Sequence, residues 1–187
     1  MVANTNPQTQ ETHDLRKSSL KHNWMHVRSW IEMAEEGDPI IIKEGKGLTV
    51  VDTDGNEWMD VNGGYLCVNV GYGRSELAEV ARKQLEQLPY YNAFFQTAHP
   101  PAIELSQLLS QVTPKQLNRA FFTNSGSEAN DTQVKLVWYY NNLRGNPQKK
   151  KIISRKGGYH GITVASGSLT GLPYAHKYFD LPLPNFL

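Results

Sequence analysis

The chain has 187 residues, 39% of them hydrophobic and 20% charged, which is enough apolar material for one packed domain and part of another. Nineteen basic and 18 acidic side chains leave a net charge of +1, so no global field draws the chain to nucleic acid or an acidic membrane. Cys67 is the only cysteine, which excludes an intrachain disulfide and points to a reducing compartment.

The first 14 residues, MVANTNPQTQETHD, lack the apolar segment of a secretory signal and offer little to bury, so they read as a mobile tail. No run approaches the roughly 18 apolar residues of a membrane span. A soluble cytoplasmic protein is expected. His22 and His26, four apart, have the spacing of a helical metal pair, but Trp24 and Met25 between them favour packing. From Pro39 the pattern turns extended. Runs at 40–43, 48–52 and 57–61 are separated by Gly45 and Gly47 and then by Asp54-Gly55, a hairpin signal, and predict a small antiparallel meander. The glycine-rich GGYLCVNVGYGR follows. Ser75 is a candidate N-cap for a helix with apolar residues at 77, 80, 81, 85 and 88, stopped by Pro89. YYNAFFQTAH is an aromatic connector, and PPAIELSQLLSQV predicts a second helix with proline at its start.

The rhythm then becomes strand, loop, helix. Arg119–Thr123 and Lys151–Arg155 read as short buried strands, Ser127–Leu143 as a helix, and GITVASGSL as a weaker one. Strands alternating with helices imply an α/β fold with a mainly parallel sheet.

Two loops carry the chemistry. In FFTNSGSEAND, Ser125-Gly126-Ser127 stands where a strand gives way to a helix. First-turn amides lack intrahelical partners, and the helix dipole adds positive charge there, so a phosphate placed against small residues is stabilised. The same residues also suit an ordinary serine N-cap. The segment matches neither a nucleotide P-loop nor a dinucleotide fingerprint. About thirty residues later comes Gly157-Gly158-Tyr159-His160-Gly161. A tyrosine flanked by glycines can offer a flat face to a planar ligand, or can simply pack. Together the two loops suggest a phosphorylated aromatic cofactor.

NSGSEAND followed by GGYHG, with DTDGNEWMDV and GYLCVNVGYGR upstream, resembles the class III, or omega, aminotransferases over residues 22–173. The resemblance implies pyridoxal 5′-phosphate and the fold-type I architecture. Residues 15–70 would contribute to the small domain, and 71–187 would begin the large, cofactor-binding domain. Gly126 and Ser127, with Ser125 beside them, would contact the cofactor phosphate. Tyr159 would stack on the ring, and His160 would support it. Tyr65, Leu66 and Phe94 would shape the substrate pocket, and many omega-amine enzymes carry tryptophan where this chain has Leu66. The YYNAFF segment would lie at a homodimer interface, although on composition alone its aromatics are ordinary core. The implied reaction moves an amino group from an omega-amino compound or amine to a keto acid, with pyruvate the expected acceptor. No lysine here, including Lys135, Lys149, Lys150, Lys151 and Lys156, stands in the family's Schiff-base motif. That lysine and the carboxylate facing the ring nitrogen are expected downstream, with no catalytic residue in this chain, which reads as an N-terminal fragment. The alternatives are a non-catalytic remnant acting in chain association and a nucleotide-dependent α/β enzyme.

Overall fold

The structure is a computed structural model that describes residues 6–26, 29–35 and 39–187. The first part of the expected tail, residues 1–5, lies outside the described residues. The chain divides into two compact units, Met1–Asn92 and Ala93–Leu187.

The first unit is built on a three-stranded antiparallel meander, β1 (Ile42–Lys46), β2 (Thr49–Asp52) and β3 (Glu57–Met59), in the order β1-β2-β3. Val50 faces Trp58 across the β2–β3 pair and is one of the few buried apolar residues. The β2–β3 turn is organised by Asp52. Its carboxylate accepts from the amides of Asp54 and Asn56 and from the Trp58 indole at 2.9 Å. Burial works against its charge, but these donors outweigh burial and hold its carboxyl below the ordinary range. Gly55 takes φ +79° in that turn, as the Asp-Gly signal requires.

Ahead of the meander runs α1 (Gln10–His22), so residues 10–14, read from sequence as tail, form the first turn and more of a helix. Its anchor is polar. Thr9 caps it through Thr12, and Asp54 of the β2–β3 turn accepts from the Thr9 amide at 2.8 Å and the Thr12 hydroxyl at 2.6 Å. Those two donors, the Thr12 hydroxyl foremost, hold the Asp54 carboxyl below the usual range, and Arg16 adds a weaker attraction. The short α2 (Trp30–Glu35) follows. After β3 comes α3 (Gly63–Leu66), and then α4 (Ser75–Gln87), where Arg74 rather than Ser75 takes the N-cap position without a side-chain bond. Exposed ion pairs of Arg82 with Glu79 and Glu86 run along α4.

The second unit holds α5 (Pro100–Val112), α6 (Gly126–Leu143) and α7 (Val164–Leu169). Its core is small: Val134 of α6, Leu169 of α7 and Phe186, packed with Trp138, Ile152, Ala165 and Leu183. Trp138 meets Phe186 edge to face and donates its indole N–H to the Lys150 carbonyl. The expected strands are a correction. Arg119–Thr123 has no ladder partner, and the 151–155 segment makes only one isolated parallel bridge, Ile152 to Phe186. A second parallel bridge joins Lys156 to Gly171. An extended segment becomes a strand only when a neighbour satisfies its amides and carbonyls; 119–123 finds none among the described residues, and 151–155 finds only the short 185–187 segment, which accepts from the Ile152 and Ser154 amides. No helix of the described residues is long and apolar enough to cross a membrane.

Candidate functional site

The N-terminus of α6 is built by its own sequence. Ser125 is extended (φ −155°, ψ 161°) and caps the helix, its Oγ accepting from the Glu128 amide at 3.1 Å. Glu128 reaches back to accept from the Asn124 amide at 2.9 Å. The cap thus consumes one first-turn donor. The amides of Ser125, Gly126 and Ser127 have no acceptor among the described residues. A Cβ at Gly126 would meet nothing within 4 Å, so the approach to these amides is open. The Ser127 Oγ accepts from the Ile162 amide at 3.1 Å, and its own proton remains free to donate. Three unpaired amides, a free hydroxyl proton and the positive end of an 18-residue helix fit a phosphate group. The Ser125 cap is therefore formed, and it leaves other donors of the same turn unpaired.

The second loop is lashed to the first. The His160 carbonyl accepts from Asn130 Nδ2 at 2.6 Å, and the His160 amide donates to Thr170 Oγ1 at 2.9 Å. Ahead of the tyrosine, Gly157 donates to the Gly171 carbonyl, and Gly171 donates to that of Gly158. Tyr159 therefore sits on a loop pinned on both sides. Its own side chain makes no hydrogen bond and is 62% exposed, free to present a ring face. His160 contributes through its backbone. Its ring lies back against Gly158, where an added Cβ would stand 3.0 Å from Nε2. Gly161 makes the close approach to α6 possible. It adopts φ +128°, and a Cβ there would lie 2.6 Å from Ser127 Oγ.

The pocket candidates are distributed over both units. Tyr65 and Leu66 belong to the first, in α3, where Gly63 to Leu66 all have positive φ between 55° and 69°. A left-handed turn with two non-glycine residues is strained. Asp60 holds it, accepting from the Gly64 amide at 2.6 Å and the Tyr72 hydroxyl at 2.7 Å. The Tyr72 bond and then the Gly64 amide depress the Asp60 carboxyl, and the same bond raises the Tyr72 phenol. Both candidate side chains project into solvent. Phe94 belongs to the second unit, tilted against Phe95 at 6.3 Å, with its carbonyl taken by Thr97.

Sequence reasoning missed the residues that join the loops. Asp131 Oδ1 accepts from Thr163 Oγ1 at 2.7 Å and from the Ser166 amide at 2.9 Å. A signal existed: Ser127, Asn130 and Asp131 share the α6 face that continues through Val134 and Trp138, so polar residues occupy a core-facing stripe.

Three comparisons bear on this arrangement. The family model described as Aminotransferase class-III matches residues 32–187. A putrescine–pyruvate aminotransferase of Pseudomonas aeruginosa is 44% identical over 183 residues, 98% of this chain and 39% of that protein. A mitochondrial gamma-aminobutyrate transaminase 1 of Solanum lycopersicum is 50% identical over 148 residues, 79% of this chain and 29% of that protein. Among solved structures, an omega transaminase from Pseudomonas jessenii in complex with PMP superposes with a TM-score of 0.87 at 43% identity, covering 92% of this chain and 38% of that one. The chain thus spans less than two fifths of the length of these relatives, and over that span it has the fold of the fold-type I transaminases.

Proposed function

This chain belongs to the class-III aminotransferase family, and from that premise we propose that it forms the part of a pyridoxal-phosphate enzyme that seats the cofactor's phosphate and ring. The observation that carries the reading is the set of three acceptorless amides at Ser125, Gly126 and Ser127, opening onto free space at Gly126. Bound pyridoxal phosphate supplies an aldehyde that carries the amino group and a ring that withdraws electrons from the carbon bearing it. The chain's own residues bind and orient. The 125–127 amides and the Ser127 hydroxyl take the phosphate, the Tyr159 ring stacks on the heterocycle, and the His160 backbone fixes the loop between them.

The reaction we propose transfers an amino group from an omega-amino compound or amine to a keto acid, with pyruvate as acceptor. The likeness to a putrescine–pyruvate aminotransferase of Pseudomonas aeruginosa and to a gamma-aminobutyrate transaminase of Solanum lycopersicum supports this. Tyr65, Leu66 and Phe94 would shape the donor pocket. Residues 15–70 would belong to the small domain and 71–187 to the large one. The lysine that bonds the cofactor's aldehyde and the carboxylate at its ring nitrogen would lie outside residues 1–187. Lys150, for its part, is engaged by Asn142 and lies over the Trp138 ring. Exposed Tyr90, Tyr91, Phe94 and Phe95 would meet a second copy in a homodimer. The setting would be the reducing cytoplasm, where an exposed Cys67 stays a thiol. A remnant active only in chain association would use the same aromatics but hold no cofactor.

Titration of the full-length protein with pyridoxal phosphate, followed by equilibrium dialysis, tests the reading. Saturable binding of one equivalent per chain is expected. Ser127→Ala, which removes a charge-assisted hydrogen bond of about 1.5–3 kcal/mol, should weaken it by about tenfold or more. Binding that ignores Ser127→Ala would place the phosphate elsewhere, and no binding would favour the association reading.

A further inference from the structure

Besides the groups that would touch the cofactor, α6 carries two side chains, Asn130 and Asp131, that touch only the loop. They stand one helical turn from Ser127 on the same face, and the three hold different points of residues 160–166. Ser127 Oγ takes the Ile162 amide at 3.1 Å, and Asn130 Nδ2 binds the His160 carbonyl at 2.6 Å. Asp131 Oδ1 takes the Thr163 hydroxyl at 2.7 Å and the Ser166 amide at 2.9 Å. Within the start of α7, Ser166 Oγ accepts from the Thr163 amide at 3.2 Å, while the Ser166 amide, a first-turn donor of that helix, goes to Asp131. The carboxylate therefore ties α7 to α6 by tertiary bonds across 32 and 35 residues of sequence. On the opposite side the loop is held by Thr170, whose hydroxyl takes the His160 amide and donates to the Gly161 carbonyl at 2.8 Å. Tyr159, with no side-chain hydrogen bond, owes its placement entirely to this backbone anchorage.

We propose that Asp131 is a positioning residue that sets the Tyr159 ring relative to the anion seat of residues 125–127, by holding the 160–163 segment to α6. This rests on reading that seat as the phosphate site. The separation of roles makes it testable with two probes: inorganic phosphate engages the seat alone, whereas pyridoxal phosphate engages both the seat and the ring.

The experiment measures the dissociation constants of both probes for the full-length protein and its variants by isothermal titration. Asp131→Ala is expected to weaken pyridoxal phosphate by about three- to tenfold, the worth of a stacked aromatic pair, and to leave inorganic phosphate within about twofold. Asp131→Asn keeps an oxygen acceptor for both bonds while removing the charge, and should bind both probes like the parent. Should Asp131→Ala fail to fold, Asn130→Ala, which removes the strut to His160, must show the same split. Ser127→Ala should weaken both probes. If the parent binds neither probe, the phosphate seat is wrong and this proposal falls with it. If the parent binds both, and Asp131→Ala and Asn130→Ala weaken both equally or neither, the positioning role alone is refuted.

Discussion

At Gly161 a single hydrogen atom in place of a side chain decides whether two loops can meet. The residue holds φ +128°, and a methyl group would fall 2.6 Å from the Ser127 hydroxyl that takes the Ile162 amide. Gly161→Ala must push the loop off α6 or strain the backbone, at a cost of about 1–3 kcal/mol. The expected outcome is a lowered melting temperature together with weakened cofactor binding, read by thermal unfolding with and without pyridoxal phosphate. A variant that melts and binds like the parent would show that the approach is not needed. Ser127 does two things at once. It accepts from the loop with a lone pair and keeps its proton free to donate, which neither an alanine nor a glycine could do.

Among elements, the turns of the first unit are governed by carboxylates. Asp52 holds the β2–β3 turn, Asp54 fastens α1 to that turn, and Asp60 supports the left-handed turn bearing Tyr65 and Leu66. All three carboxyls are depressed, Asp54 and Asp60 chiefly by hydroxyl donors, and Asp52 by the Trp58, Asn56 and Asp54 donors that overcome its burial. The sign follows directly. A carboxylate whose folded pKa is lowered contributes stability above its ordinary pKa of about 4, and that stability is lost as pH falls through the folded value. Amide exchange protection over residues 49–64, corrected for intrinsic rates, should therefore drop between pH 6 and pH 3, and more than protection within α6. Equal protection at both pH values would contradict the assignment.

The helices were readable because each carries a local signal: period 3.6 and Pro89 for α4, two prolines at the start of α5, and Ser125 for α6. The meander was readable from its glycines and Asp54-Gly55. α1 was missed because its docking uses Thr9, Thr12 and a carboxylate 42 residues on, where an apolar face would have shown in the periodicity. The segments at 119–123 and 151–155 have strand composition, but 119–123 has no ladder partner among the described residues and 151–155 bonds only the short 185–187 segment. The 124–131 and 157–161 loops were legible as motifs. The lattice of Asn130, Asp131, Thr163 and Ser166 between them was not, since its bonds span about thirty residues.

Over the whole molecule, each unit has a thin apolar core, Met33 and Val50 in the first and Val134, Leu169 and Phe186 in the second. Large apolar residues remain outside: Leu77, Val80 and Leu85 on α4, Ile103, Leu105, Leu108 and Val112 on α5, and Phe95, which is 98% exposed. Exposed apolar side chains in such number on α4, and separately on α5, suit packing against further protein. The polar lattice of the second unit, by contrast, is fully satisfied, with no buried side-chain donor or acceptor left unpaired among the described residues. What α6 leaves open is its N-terminal end, where the amides of residues 125–127 have no acceptor among the described residues. The most direct measurement is of the amide resonances of Gly126 and Ser127, with glycine and serine labelled in the full-length protein, as pyridoxal phosphate is added. The account expects both amides to move downfield in step with cofactor occupancy and to become protected from exchange with water. Cofactor bound at full occupancy with both amides unmoved would contradict it.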